Sequence, residues 1–123
     1  MRQTIIYAAA FMLALTAAAS ADTARDYREL DDDNYVVQPF NVTVDQLDDM
    51  NVYGADGREI GEVEEVLVDA SGNVVAVSVE ADRSLGIGDR EVIMRLDSLT
   101  YAEGRLSTTL SDDEIRSLPV WDD

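Results

Sequence analysis

From Val42 onward, apolar residues recur at alternate positions in short runs, and turn-forming residues separate the runs. Val75, Val77 and Val79 alternate with Ala76, Ser78 and Glu80. Val92, Met94 and Leu96 alternate with Ile93 and Arg95, and Leu106, Thr108 and Leu110 finish the pattern. A period of two predicts half-buried strands. Turns are expected at Ala55-Asp56-Gly57, at Asp69-Ala70-Ser71-Gly72-Asn73 and at Ala102-Glu103-Gly104, where Gly supplies the backbone conformations tight turns require. Ile60, Val63, Val66 and Val68 do not keep one parity. A bulge near Glu64-Glu65 would return Val63 and Val66 to one face. The pattern predicts a mainly β fold, a small barrel of five to six antiparallel strands, whose closure would remove exposed sheet edges.

Two short helices bracket the strands. Thr43-Val44-Asp45-Gln46 reads as a capping box with Thr43 as N-cap, and Val42 and Leu47 stand at the staple positions. Ser111-Asp112-Asp113-Glu114 repeats the arrangement with Leu110 and Ile115. Its acidic first turn suits the helix dipole, and Pro119 stops the helix after Leu118.

The N-terminus differs in kind. Arg2 precedes an apolar run from Ile5 to Thr16, and Ala19-Ser20-Ala21 supplies the small-x-small pattern of a signal-peptidase site. Residues 1–21 are therefore expected to be a signal peptide, cleaved between Ala21 and Asp22. Retention as an anchor is the rival, although the uncharged stretch barely reaches spanning length. Arg2 favours the inner side, so the acidic part that follows is expected to be exported, into the periplasm of a cell with two membranes. Residues 22–42 mix charges with few periodic apolar positions and are expected to be a flexible acidic tether, with Val36, Val37 and Phe40 able to pack as a strap. The domain proper is expected over 43–123.

Charge narrows the partners. The 123 residues carry 26 acids and 9 bases, all Arg, for a net charge of -17. Removing residues 1–21 leaves 26 acids against 8 Arg, a net of -18. Such a field repels nucleic acid and anionic membrane surfaces and favours a basic partner protein or a salty medium. Absence of His and Cys removes the commonest bases, soft-metal ligands and thiol nucleophiles.

Candidate chemistry is sparse. Asp31-Asp32-Asp33 cannot converge on one ion from a single turn. Asp69, Ser71, Asn73, Val75 and Glu80 match the spacing of a calcium loop, but Val74 stands where that loop needs Gly. A hairpin turn is the expected reading. Ser84-Leu85-Gly86-Ile87-Gly88 has two glycines followed by a strand pattern, so the helix N-terminus that would hold a phosphate is missing. Gly86 and Gly88 are expected at positive φ in a bend. Glu64 and Glu80 are a nominal acid–base pair, although acids at alternate strand positions usually form the wet face of a sheet.

Asn51 to Asp123 resembles the PRC-barrel family, on the joint pattern of Ile60-Gly61, Asp69, Gly86-Ile87-Gly88 and Leu118-Pro119. The sequence departs from exported relatives at Asp82-Arg83-Ser84, where those often carry Gly-Gly-Phe before Leu-Gly. The resemblance implies a small β-barrel used as an adaptor, as in a photosynthetic reaction-centre subunit and a ribosome-maturation factor. No cofactor, metal or catalytic residue is expected, because His and Cys are absent and the acids alternate on strands as a wet face. Asp82, Arg83, Ser84 and Leu85 are the candidate partner surface.

These readings together lead to an exported, non-catalytic interaction module that binds a protein partner, basic or membrane-associated, with a homodimer left open. The alternative is weak binding of a divalent cation or small ligand through clustered carboxylates.

Overall fold

The computed structural model describes residues 26–88 and 90–122. The expected signal peptide, with Ala19, Ala21 and Asp22, lies outside the described residues.

The chain is mainly β, as the period-two pattern predicts. Strands β1 (Arg28–Glu29), β2 (Val36–Val37) and β3 (Val42–Thr43) precede helix α1 (Val44–Leu47). Then come β4 (Asn51–Tyr53), β5 (Glu59–Val68), β6 (Val74–Ala81), β7 (Glu91–Arg95), β8 (Thr100–Ala102) and β9 (Arg105–Ser107). Helix α2 (Asp112–Arg116) and β10 (Val120–Trp121) complete the chain. The main sheet runs β10-β7-β6-β5-β4-β9-β8, with β1 added to β5, while β2 and β3 form a separate pair.

Three details differ from the simple antiparallel roll. The β4–β9 ladder is parallel, matching Val52 with Leu106 and Tyr53 with Ser107. The hydrogen-bonded order ends at β8 and β10 rather than closing into a ring. The strand after Pro119 is the third difference. The helix expected to run to Leu118 ends at Arg116; beyond it the Pro119 carbonyl accepts from the Ile93 N–H at 2.8 Å, and Val120 then pairs with Val92.

Both capping boxes form. The Gln46 N–H donates to Thr43 Oγ1 at 3.1 Å, and the Glu114 N–H donates to Ser111 Oγ at 3.1 Å. Val42, Leu47 and Ile115 are buried, with Leu110 packed beside them, so each box pins its helix to the core. The inner face of the sheet contributes Val52, Ile60, Val63, Val66, Val77 and Val79 to that core.

The bulge in β5 lies where parity required it. Val63 pairs with Val79, but Glu65 pairs with Ser78, leaving Glu64 as the extra residue. Val63 and Val66 consequently both face the core. Gly61 is demanded by proximity, since a Cβ there would lie 2.6 Å from Val79 Cγ1 and 2.7 Å from the Glu80 carbonyl oxygen.

The tether expected over residues 22–42 is corrected over its described part. Val37 is buried and Phe40 packs against the core, as the expected packing of Val36, Val37 and Phe40 allows, while Val36 is exposed; Tyr27, further upstream, is buried as well. Arg28 and Glu29 pair with Val68 and Leu67, and the Leu30 N–H donates to the Val66 carbonyl at 2.8 Å. The reason lies in strand length: β4 pairs only with Glu59–Glu62, so the far half of the ten-residue β5 needs another backbone to satisfy its edge. Residues 26–30 supply it. Asp31-Asp32-Asp33 shape the turn that follows, where Asp32 Oδ1 accepts from the Asn34 N–H and the Asp33 carbonyl accepts from the Asp45 N–H.

Candidate functional site: the acidic face of the sheet

The outer face of the sheet is built by register. Glu62 on β5 lies opposite Glu80 on β6, which lies opposite Glu91 on β7. Asn51 flanks this row on β4, and Trp121 flanks it on β10. Three carboxylates thus stand side by side across three adjacent strands, an arrangement that repels in the absence of a counter-charge.

The bulge adds a fourth acid. Carboxylate oxygens of Asp49, Glu62 and Glu64 lie within 4.8 Å of one another. Partial burial, and then the charges of Glu80, Glu62, Glu91 and Asp49, push the Glu64 carboxyl above its ordinary value of 4.5. At the other end of the row Glu91 Oε1 is shielded from solvent and has no hydrogen-bond partner among the described residues. The face therefore holds carboxylates that are crowded, partly desolvated and short of donors.

Beyond the acidic row the same face turns apolar. Glu65, Ser78 and Ile93 make the next row, followed by Leu67 and Ala76. Tyr27 and Trp121, from the two ends of the described chain, pack with Leu67, Ala76 and Ile93 as a second buried cluster. The Trp121 indole N–H donates to Glu65 Oε2 at 2.6 Å, which orients the ring.

A groove of about 260 Å³ borders the acidic row, lined by Glu59, Gly61, Glu62, Glu80, Asp82 and Arg83 among others. Two members of the expected partner surface, Asp82 and Arg83, therefore border Glu62 and Glu80. Ser84 is exposed, and its N–H and hydroxyl donate to Asp82 Oδ2 at 3.0 and 2.7 Å. These bonds cap a 3-10 turn over Arg83–Leu85 and, with Arg58 adding to them, hold the Asp82 carboxyl below its ordinary range. Leu85 does not belong to the surface. It is fully buried in the core, because the turn folds its side chain inward as the anchor of the loop.

The remaining pattern residues shape the backbone. Ile60 is buried in the core. Asp69 Oδ1 accepts from the N–H groups of Ser71 and Asn73 at 2.9 and 3.0 Å, bonds that keep its carboxyl below the ordinary range and close a hairpin turn. Gly86 and Gly88 have φ of 75° and 73°, as the bend requires. Leu118 packs against the core, and Pro119 hands the chain to β10.

Glu64 and Glu80 share the acidic face, where Glu80 is exposed. Asp49, Glu62, Glu91 and the Glu65–Trp121 pair were not singled out by sequence reasoning. Each of these acids looks like an ordinary wet-face residue within its own segment. The usable signal was the Asp69–Asn73 hairpin: Val68 pairs with Val74, the register shift at Leu67/Val68 and the bulge at Glu64 offset each other, and Glu62 falls opposite Glu80.

A sheet curled over its main apolar core, with a smaller apolar cluster, polar grooves and charge on its outer face, defines a small β-barrel interaction module. The sequence profile of the PRC-barrel domain matches residues 41–120, and the chain belongs to that family, whose fold is non-catalytic. No curated protein matches the chain. Tyr27 and Trp121 fall outside the matched residues, so the cover over the apolar end of the outer face lies beyond the family core. Among the described residues no helix is long and apolar enough to cross a membrane.

Proposed function

We propose that the protein is an exported, non-catalytic adaptor that binds a basic protein partner through the outer face of its sheet. The observation that carries this reading is the in-register row Glu62–Glu80–Glu91 across β5, β6 and β7. Side-by-side carboxylates and a shielded Glu91 oxygen are costly in the free protein, and guanidinium or ammonium donors from a partner would relieve both costs. Net charge strengthens the case, because an acidic field speeds encounter with a basic surface. The groove beside Asp82 and Arg83 supplies shape where the carboxylate row supplies charge.

Affinity capture from an envelope extract tests this, using the wild-type protein, a Glu62→Gln/Glu80→Gln/Glu91→Gln variant and a variant neutralised elsewhere, at low and high salt. The expected result is a partner held by wild type and by the control variant, lost from the triple variant and weakened by salt. A partner set indifferent to salt and to the triple variant contradicts the reading.

The convergence of Asp49, Glu62 and Glu64 favours a second reading, weak binding of a hard divalent cation. Calorimetry with calcium and the Glu64→Gln variant tests it, and a flat trace for wild type at millimolar ion ends it.

A further inference from the structure

Trp121 roofs part of the outer face. Its strand, β10, is separated from β5 by β7 and β6, a span of roughly 14 Å at about 4.8 Å per strand. Trp121 lies in register with Glu91, yet its indole N–H reaches Glu65 Oε2 on β5. The ring therefore crosses β7 and β6 obliquely, from the row of Glu91 and Glu80 to the row of Ile93 and Ser78. Its packing with Ile93 agrees with that path.

Under this roof the sheet holds a hydroxyl that the fold does not use. Ser78 is fully buried, and its Oγ has no hydrogen-bond partner among the described residues. Val77 and Val79 on either side face the main core, so the Ser78 side chain points to the outer face, the face of Glu80. On the adjacent strand, Glu91 Oε1 is a second shielded oxygen without a partner among the described residues. Polar atoms left dry and unpaired oppose folding, and native proteins rarely keep them without a reason. Crowding of acids does not account for Ser78, which carries no charge.

We propose that Ser78 Oγ and Glu91 Oε1 form, under the Trp121 ring, a site for one primary ammonium group, the end of a partner's lysine side chain. An ammonium brings a positive charge, three N–H donors and no acceptor. One donor serves each unpartnered oxygen, and the third serves the exposed carboxylate of Glu80, which neighbours Ser78 along β6 and lies opposite Glu91 on β7. The indole above adds the attraction of an aromatic face for a cation. A guanidinium fixes its donors in one plane and favours forked contact with a single carboxylate, which the open acidic row already offers. This inference deepens the adaptor reading and rests on it for the source of the ammonium. The row draws in a basic surface, and the roofed oxygens give lysine a contact that arginine lacks.

Titration with oligolysine and oligoarginine peptides of equal length, at one pH and one salt concentration, tests it in the intact protein. Calorimetry gives the affinities, and Trp121, the chain's single tryptophan, reports the site through its emission. The expected result is that oligolysine at saturation changes Trp121 emission clearly more than oligoarginine does. Ser78→Ala removes only an unpaired hydroxyl, so the variant should melt no lower than wild type. It should bind oligolysine about fivefold more weakly while holding oligoarginine within about twofold. Glu103→Gln, in a turn away from the row, should leave both affinities unchanged. Binding of both peptides with equal emission changes, or with no selective loss of oligolysine in Ser78→Ala, overturns the proposal and leaves the adaptor reading standing. Binding of neither peptide to wild type contradicts the adaptor reading and the proposal with it.

Discussion

Trp121 and Glu65 meet at 2.6 Å across a sequence separation of 56 residues, and their bond ties the C-terminal strand to the bulged region of β5. This contact marks the boundary between the two halves of the outer face. On one side lie the carboxylates of Glu62, Glu80 and Glu91, and on the other lies the apolar cluster with Tyr27.

The Trp121→Phe variant keeps most of the ring and removes the N–H. It leaves a partly buried carboxylate without this donor, so stability should fall by about 1–3 kcal/mol. Urea unfolding followed by circular dichroism measures the change, and an unaltered midpoint would show that the bond contributes nothing.

Gly61 is required by space rather than by φ. An added methyl would lie 2.6 Å from a Val79 methyl and 2.7 Å from the Glu80 carbonyl oxygen, so Gly61→Ala should lose about 1–3 kcal/mol. Adding Val79→Ala should not restore stability, because the backbone carbonyl remains in place and the second change opens a cavity. Thermal melts of the two variants distinguish a side-chain clash from a backbone one.

Glu64 gives a pH dependence of known sign. Its carboxyl is raised in the folded state, chiefly by partial burial and then by neighbouring acids, so ionising it opposes folding. The penalty is fully present above the raised pKa and fades as pH falls through it toward the ordinary value of 4.5. Glu64→Gln should therefore raise the urea midpoint at pH 7, and the gain should vanish below the ordinary carboxylate range. Asp69 and Asp82 act in the opposite direction, since their lowered carboxyls stabilise the fold at neutral pH and lose that contribution in acid.

The loop at Arg83–Leu85 separates anchor from surface. Leu85→Ala removes a fully buried side chain and should cost about 2–5 kcal/mol. Arg83→Ala, at an exposed position, should stay within about 0.5 kcal/mol of wild type. Equal losses would mean that the loop is not anchored by Leu85.

Local grammar carried much of this fold. Thr43–Gln46 and Ser111–Glu114 cap helices through contacts three residues apart, so the sequence displays both partners together. The bulge at Glu64 was legible because valine parity fails there. Residues 26–30 were not legible, because a two-residue strand has no period and its partner lies on the edge of β5 far along the chain. The parallel β4–β9 ladder and the strand after Pro119 were hidden for the same reason: each is specified by a remote edge rather than by its own residues. The acidic face was legible residue by residue and illegible as a row. Glu62, Glu80 and Glu91 align only when the register of two ladders is known.

Chemical-shift mapping of the labelled protein with a short arginine-rich peptide tests the adaptor account most directly. The account predicts that the largest perturbations fall on Glu62, Glu80, Glu91 and the neighbouring Asp82–Arg83 turn, and that they disappear in the Glu62→Gln/Glu80→Gln/Glu91→Gln variant. Perturbations centred instead on the acidic first turn of α2, and unchanged in that variant, would contradict it.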